Sequence, residues 1–218
     1  MSGQHASGDD ARELAAVSRG TLAHYEERAS SFWDNTREHD VTQNIDALLS
    51  AITGEPPFTI LDFGCGPGRD LRTLSRRGHV AIGLDGVPEF VAMAQAWSGC
   101  EVWQQDFLAL DLPPARFDGI FANASLFHVP RSVLPRVLGE LHRALRPQGV
   151  LFASNPHGND DEGWMRGRYG FWAAPQTWNR LVAAAGFALA DEYYRPAGRP
   201  RAEQPWYATV WRRADSAR

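Results

Sequence analysis

From residue 58 onward, the sequence alternates short apolar runs with stretches whose apolar residues recur at helical spacing. Helices placed between strands let the strands run parallel, so this alternation predicts an α/β fold with a mostly parallel, doubly wound sheet. The seven predicted strands are Phe58–Phe63, Val80–Leu84, Glu101–Gln104, Phe117–Ala122, Val150–Ser154, Phe187–Tyr194 and Trp206–Trp211. The predicted helices are Arg69–Arg77, Pro88–Ala96, Ser132–Leu145 and Pro175–Ala185. Ser132 is the expected N-cap of its helix, and Pro175 the expected first residue of the last one.

Both ends of the chain add to this pattern. No helix separates the last two strands, so we expect them to form an antiparallel pair at the sheet edge. Before the first strand, apolar residues at helical spacing between residues 11 and 52 predict two helices. An aromatic and polar stretch, Tyr25–Asp40, lies between those helices. For the 218 residues we expect one domain, with a core over residues 58–213 and an N-terminal helical lid over residues 11–52.

Composition excludes several function classes. The net charge is −4 without a long run of like charges, which argues against a nucleic-acid partner. All 22 basic residues are arginine, so lysine-based covalent catalysis is excluded. The two cysteines, Cys65 and Cys100, are too few for a structural zinc site or a disulfide framework. No stretch has the length of a signal peptide or a membrane span, so we expect a cytoplasmic protein without a membrane partner. We also expect no metal.

A glycine-rich turn between the first strand and the next helix carries the strongest functional signal. Gly64, Gly66 and Gly68 follow the strand at G-x-G-x-G spacing, whereas a dinucleotide fingerprint requires G-x-G-x-x-G. Glycines at this place let the backbone approach a nucleotide-like ligand, although a tight turn alone also uses them. Asp62 at the strand end favours a cationic ligand and would repel a pyrophosphate. The loop therefore indicates a positively charged nucleoside.

Two further carboxylates stand at the ends of the next two strands. Asp85 ends the second strand, where it can accept hydrogen bonds from ribose hydroxyls. Asp106 follows the third strand and can accept from an adenine amino group, while Phe107 covers the ring face. Any one of these acids is ordinarily a solvated loop residue or a helix cap. Three acids at successive strand ends, behind a glycine loop, indicate one nucleoside site.

These motifs resemble those of class I S-adenosylmethionine-dependent methyltransferases. The segments that carry the resemblance are Leu61–Gly68, Gly83–Asp85, Gln105–Asp106, Phe117–Phe121 and Leu145–Leu151. The resemblance implies a Rossmann-like, seven-stranded sheet with a C-terminal antiparallel hairpin, and S-adenosylmethionine as cofactor with S-adenosylhomocysteine as product. The cofactor-binding residues expected from the motifs are Asp62, Gly64, Cys65, Gly66, Gly68, Asp85, Gly86, Asp106, Phe107 and Asn123, with Tyr25 and Arg37 as candidates for the methionine carboxylate.

The flanking segments are similar to the methyltransferase domain of ovothiol-biosynthesis enzymes and its free-standing relatives. The similarity rests on Phe32–Asn44, Phe121–Pro130, Asn155–Pro156 and Glu162–Trp164. It implies methyl transfer to a small-molecule acceptor, at an imidazole nitrogen or a thiol. Two alternatives stay open at this point: an NAD(P)-dependent oxidoreductase on a related sheet, and a non-catalytic S-adenosylmethionine binder.

Methyl transfer requires alignment of donor and acceptor and no nucleophile on the enzyme. Asn123 and His128 follow the fourth strand and are the candidate catalytic residues, with His128 as a proton acceptor or alternatively only a packing residue. The acceptor site is predicted from polar and aromatic residues of the flanking segments: Phe32, Trp33, His39, Asp40, Asn44, Ser125, Asn155, Trp164 and Tyr169. The expected oligomeric state is a monomer or a homodimer.

Overall fold

The computed structural model describes residues 8–214, which form seven α-helices, two short 3₁₀ helices and nine strands. The helices are α1 (Gly8–Glu26), α2 (Ala29–Thr36), α3 (Thr42–Ala51), α4 (Arg69–Arg76), α5 (Pro88–Ser98), α6 (Leu134–Ala144) and α7 (Pro175–Ala184). The strands are β1 (Thr59–Phe63), β2 (Val80–Asp85), β3 (Glu101–Gln104), β4 (Phe117–Asn123), β5 (Leu145–Pro156), β6 (Asp161–Met165), β7 (Arg168–Trp172), β8 (Phe187–Arg195) and β9 (Trp206–Arg213).

Seven of these strands pair into one sheet in the order β3-β2-β1-β4-β5-β9-β8. The first five are parallel, whereas β9 lies antiparallel to both β5 and β8. The predicted mostly parallel, Rossmann-like sheet with a C-terminal antiparallel hairpin is confirmed. Strand order reverses between β1 and β4, and in such sheets ligands bind in the crevice beyond the carboxyl ends of the strands at that point.

Helices cover both faces of the sheet, which explains why its strands are apolar without alternation. Leu61 and Phe63 of β1 face one apolar cluster, which also contains buried residues of α6 and α7. Ile60 faces the other cluster, together with buried residues of α3, α4 and α5. Asp62 shares the Ile60 side of the strand and is buried with only 2% of its surface exposed.

Three details of the sequence prediction were wrong. Three helices, and not two, precede β1, because the stretch Tyr25–Asp40 contains α2, whose eight residues bury only Ala29 and so show no apolar stripe. Ser132 is not an N-cap: α6 begins at Leu134, after a turn in which the Val133 and Leu134 amides donate to Pro130 O. The segment after β5, for which the sequence predicted neither a strand nor a helix, contains the β6–β7 hairpin, because β6 buries none of its residues and shows no buried apolar run.

Between residues 8 and 214, no helix is both long and apolar enough to cross a membrane.

Candidate functional site

A cavity that encloses about 710 Å³, including the part open to solvent, lies beyond the carboxyl ends of the central strands. Its floor comes from the loops that follow β1, β2, β3 and β4, as the strand order requires. The lining from these loops is Gly64, Gly66, Asp85, Gly86, Val87, Asp106, Phe107, Leu108, Ala124, Ser125, His128 and Pro130. Most of the motif residues identified in the sequence therefore share one cavity.

The glycine loop has a backbone that only glycine adopts without strain. Gly64, Gly66 and Gly68 have φ values of +77°, +52° and +92°. A Cβ on Gly64 would lie 2.4 Å from Ser125 Cβ, and one on Gly68 would lie 2.8 Å from Ala94 Cα. Gly64 and Gly66 line the cavity, whereas Gly68 starts α4 against α5. Cys65 is buried beneath the loop, and burial raises the pKa of its thiol well above the usual range, so it packs as a small apolar residue.

Asp85 ends β2 with its carboxylate in the cavity wall. Oδ2 accepts from the Gly66 amide and Oδ1 from the Val87 amide, each at 2.9 Å. Burial raises the pKa of this carboxyl to about 6, partly offset by these backbone hydrogen bonds. A buried carboxylate of this kind can accept further hydrogen bonds from a pair of ligand hydroxyls.

Asp106 and Phe107 follow β3 in the chain and also line the cavity. Asp106 Oδ1 accepts from the Leu108 amide at 2.8 Å, and Oδ2 accepts from Ser18 Oγ at 2.5 Å. The Phe107 ring stacks on Phe63 with centroids 4.2 Å apart, which holds it in place as an apolar wall. A carboxylate beside a fixed aromatic face suits a planar base with an exocyclic amino group.

Asp62 lies under the loop and provides a test of the proposed cofactor. Its Oδ2 is buried without a hydrogen-bond partner among the described residues, and burial raises the pKa of this carboxyl well above its ordinary value. Buried carboxyl oxygens normally have a partner, so this atom is an unmet acceptor beneath the loop, which suits a cationic or donating ligand above it, although Asp62 does not itself line the cavity. Together with the glycine cradle and Asp85, the residues present fit S-adenosylmethionine.

Asn123, at the end of β4, belongs to a buried polar network. Its Nδ2 donates to Asp70 Oδ2 at 3.1 Å, and its Oδ1 accepts from Asn44 Nδ2 at 2.9 Å. Asp70 in turn pairs with Arg69 at 2.6 Å. Both ends of the Asn123 amide are thus engaged, and neither Asn123 nor Asn44 lines the cavity.

His128 lines the cavity between two hydrogen-bond partners. Its Nε2 lies 2.8 Å from Tyr25 Oη, and its Nδ1 lies 2.7 Å from the backbone oxygen of Tyr169. Burial lowers the pKa of His128 to about 4, and burial raises the pKa of Tyr25 to about 12. Both side chains are therefore neutral near pH 7.

Helix α1 closes the cavity from above and lies largely within the range predicted for a helical lid, residues 11–52, but of its cavity-lining residues only Tyr25 was predicted from the sequence. Val17, Ser18, Thr21, Leu22 and Tyr25 all line the cavity. Their spacing of three and four residues is a helical stripe, and this stripe is the signal that could have identified them. The β6–β7 hairpin supports the helix, since the Tyr169 amide donates to Thr21 Oγ1 at 3.1 Å and Trp164 packs over Gly20.

Phe32 and Ser125 line the cavity as well, but other residues predicted for the site lie away from it. The ring of Trp33 packs on Trp97 of α5, with centroids 5.2 Å apart. Arg37, His39 and Asp40 are exposed at the surface. Asn155 lines a separate, smaller cavity, and Trp164 and Tyr169 reach the site through their contacts with α1 and His128.

Comparison with known proteins agrees with this geometry. A family model described as a methyltransferase domain matches residues 60–149. The chain is 33% identical over 174 residues to the trans-aconitate 2-methyltransferase of Azoarcus sp. strain BH72, covering 78% of this chain and 68% of that protein. It is 29% identical to the malonyl-[acyl-carrier protein] O-methyltransferase of Pseudescherichia vulneris, covering 63% of this chain and 54% of that protein.

A solved structure aligns with nearly the whole chain. It is the 1,6-didemethyltoxoflavin N1-methyltransferase of Burkholderia thailandensis with 1,6-didemethyltoxoflavin and S-adenosylhomocysteine bound. The TM-score is 0.74 at 25% identity, covering 99% of this chain and 94% of that chain. These matches favour a methyltransferase over the oxidoreductase and the non-catalytic binder, and S-adenosylmethionine is the cofactor. The chain therefore belongs to the class I S-adenosylmethionine-dependent methyltransferases.

Proposed function

We propose that this enzyme methylates a ring nitrogen of a small heteroaromatic acceptor, of which an imidazole is the best candidate. The observation that carries the proposal is the wall of the cavity around Tyr25 and His128, which is aromatic and uncharged. Tyr25, Phe32 and Phe90 are in mutual contact there, with ring centroids 5.1–5.9 Å apart. Such a wall favours a flat, neutral, aromatic acceptor.

The protonation states favour nitrogen over sulfur. A thiol has a pKa near 8.5 and must lose its proton to become a good nucleophile, which calls for a base. His128, with its pKa lowered to about 4, is a poor base at pH 7. A neutral imidazole has a ring nitrogen with a free lone pair, so it can accept a methyl group without prior loss of a proton. The N–CH₃ bond would form as the sulfonium S–CH₃ bond breaks, which gives neutral S-adenosylhomocysteine and an N-methylimidazolium that loses its N–H proton to water. The wall residues then only have to orient the ring.

The remaining cavity residues have binding and positioning roles. Asp85 would accept from the ribose hydroxyls, Asp106 from the adenine amino group, and Phe107 would cover the adenine face. Bound S-adenosylmethionine supplies an electrophilic methyl group on a sulfonium sulfur. Helix α1 excludes water from above and holds Tyr25 against the acceptor, which is the alignment that methyl transfer requires.

Two likenesses support this acceptor class. The Burkholderia thailandensis relative is named for methylation at a ring nitrogen of a heterocycle, and it aligns with 99% of this chain. The resemblance to methyltransferase domains of ovothiol biosynthesis, which was expected from the flanking segments and is not among the matches reported above, also implies an imidazole acceptor.

An acceptor screen with methyl-labelled S-adenosylmethionine tests the proposal. The panel should contain imidazoles, thiols, amines and carboxylates, with trans-aconitate included because a relative is named for it. We expect label on imidazoles, and nuclear magnetic resonance of the product should place the methyl group on a ring nitrogen. Label only on thiols or carboxylates would contradict the proposal.

A further inference from the structure

We infer that Tyr25 selects acceptors that donate a hydrogen bond, and that it thereby orients the acceptor ring with its N–H group toward the Tyr25 oxygen. The inference deepens the proposed function and rests on it. It follows from the direction of two hydrogen bonds in the cavity wall, those of His128 with Tyr169 and with Tyr25.

The first step concerns the His128 ring. A backbone carbonyl can only accept hydrogen bonds, so the 2.7 Å contact with Tyr169 O requires the proton to be on Nδ1. The ring is neutral because burial lowers its pKa. A neutral imidazole with its proton on Nδ1 has only a lone pair on Nε2.

The second step concerns Tyr25. Its oxygen lies 2.8 Å from His128 Nε2, and since that nitrogen can only accept, the Tyr25 hydroxyl must donate. A phenol has one proton, which this hydrogen bond uses. Among the residues that the structure describes, no other hydrogen bond to this oxygen is formed, so it retains a free lone pair. Toward the cavity, Tyr25 is therefore an acceptor only.

The third step concerns the ligand. A ligand lone pair opposite the Tyr25 oxygen would be repelled and left without a partner, at a cost in binding. A neutral imidazole can place its N–H there, which leaves its second nitrogen, with the lone pair, free to face the methyl group. Because the Tyr25 hydroxyl proton is used in the hydrogen bond to His128, the same argument also speaks against Tyr25 as a donor to the methionine carboxylate.

Imidazole and thiazole form a matched pair of probes. Thiazole keeps the ring nitrogen that has the lone pair but has sulfur in place of the N–H group. Binding of each should be measured by calorimetry with S-adenosylhomocysteine present, at about pH 8.5, where imidazole is neutral. Binding is compared because the two rings differ in intrinsic reactivity, and methyl-transfer rates then serve as a second readout.

We expect the parent enzyme to prefer imidazole and Tyr25→Phe to reduce that preference by about tenfold, which equals 1.4 kcal/mol. His128→Phe keeps a ring but releases the Tyr25 proton, so its preference should shift toward thiazole. Phe90→Leu is the matched control, because Phe90 lines the same cavity without hydrogen bonds. This variant should weaken the binding of both probes and leave the ratio of their affinities unchanged.

Thermal unfolding serves as the test of folding in each variant, so that S-adenosylhomocysteine affinity is a separate readout. An unchanged imidazole-to-thiazole ratio in Tyr25→Phe would overturn the inference. A large loss of S-adenosylhomocysteine affinity in Tyr25→Phe, with that ratio unchanged, would instead assign Tyr25 to the cofactor. If the parent neither binds nor methylates any imidazole, the proposed function itself fails, and that result is distinct from a failure of Tyr25 alone.

Discussion

Ser18 Oγ in α1 donates a hydrogen bond to Asp106 Oδ2, the carboxylate that follows β3, at a distance of 2.5 Å. The two residues are 88 positions apart in the chain. This contact brings the first helix onto the side of the cavity proposed for adenine, while Tyr25, two turns further along the same helix, reaches His128. One helix therefore contacts both the proposed cofactor part and the proposed acceptor part of the site.

Asp106→Ala should weaken S-adenosylhomocysteine binding by about 1–3 kcal/mol, because the adenine amino group loses a charge-assisted partner. Calorimetry with S-adenosylhomocysteine and with S-inosylhomocysteine, which lacks the amino group, checks this. The parent should prefer the adenine compound, and the variant should not. Ser18→Ala keeps the carboxylate, so its preference should persist. If Asp106→Ala still prefers S-adenosylhomocysteine over S-inosylhomocysteine, Asp106 does not bind the adenine amino group.

Cofactor affinity should fall on acidification from about pH 7 to pH 5. The carboxyl of Asp85 has a pKa raised to about 6 by burial, so in this range it gains a proton and becomes a poorer acceptor for ribose hydroxyls. Asp85→Asn has no such titration and should show weaker binding with a flatter pH profile. Calorimetry of S-adenosylhomocysteine across this range measures both. Parallel profiles for parent and variant would show that another group causes the pH dependence.

Gly66→Val should abolish cofactor binding in a protein that still folds. Gly66 lines the cavity at φ +52°, and its added Cβ would make only an ordinary 3.7 Å contact with Phe32. The matched control is Gly78→Val, which has φ +87° and nothing within 4 Å of the added Cβ. Both variants carry the strain of a left-handed β-branched residue, and chemical denaturation should show a similar loss of stability. Normal binding by Gly66→Val would exclude this loop as the cofactor cradle.

Neighbouring aromatic residues of α2 should behave differently. Phe32 lines the cavity, so Phe32→Ala should raise the acceptor KM or lower kcat at least several-fold through lost positioning. Trp33 packs on Trp97 outside the cavity, so Trp33→Ala should lower the melting temperature and leave the kinetic constants near those of the parent. Steady-state kinetics and thermal unfolding separate the two effects. A kinetic defect confined to Trp33→Ala would place the acceptor on the other side of α2.

Local patterns predicted the architecture correctly. The seven strands of the main sheet were found because buried parallel strands are apolar runs bounded by turn residues, and both features lie within a few neighbouring positions. The glycine loop and the acids Asp85 and Asp106 were identified because strand ends at one edge of a parallel sheet meet in space whatever lies between them. Given the fold, their convergence in one cavity follows from the sequence.

Tertiary structure alone decided which residues surround the proposed acceptor site. Tyr25 meets His128 across 103 positions, and Thr21 meets Tyr169 across 148, distances over which no periodic pattern carries information. Trp33 and Phe32 are adjacent and both aromatic, yet only Phe32 faces the cavity, because a helix turns by about 100° per residue and the docking of α2 selects one face. The direction of the Tyr25 hydrogen bond likewise depends on a backbone carbonyl in β7, a group that every residue has and that only the fold can bring to His128.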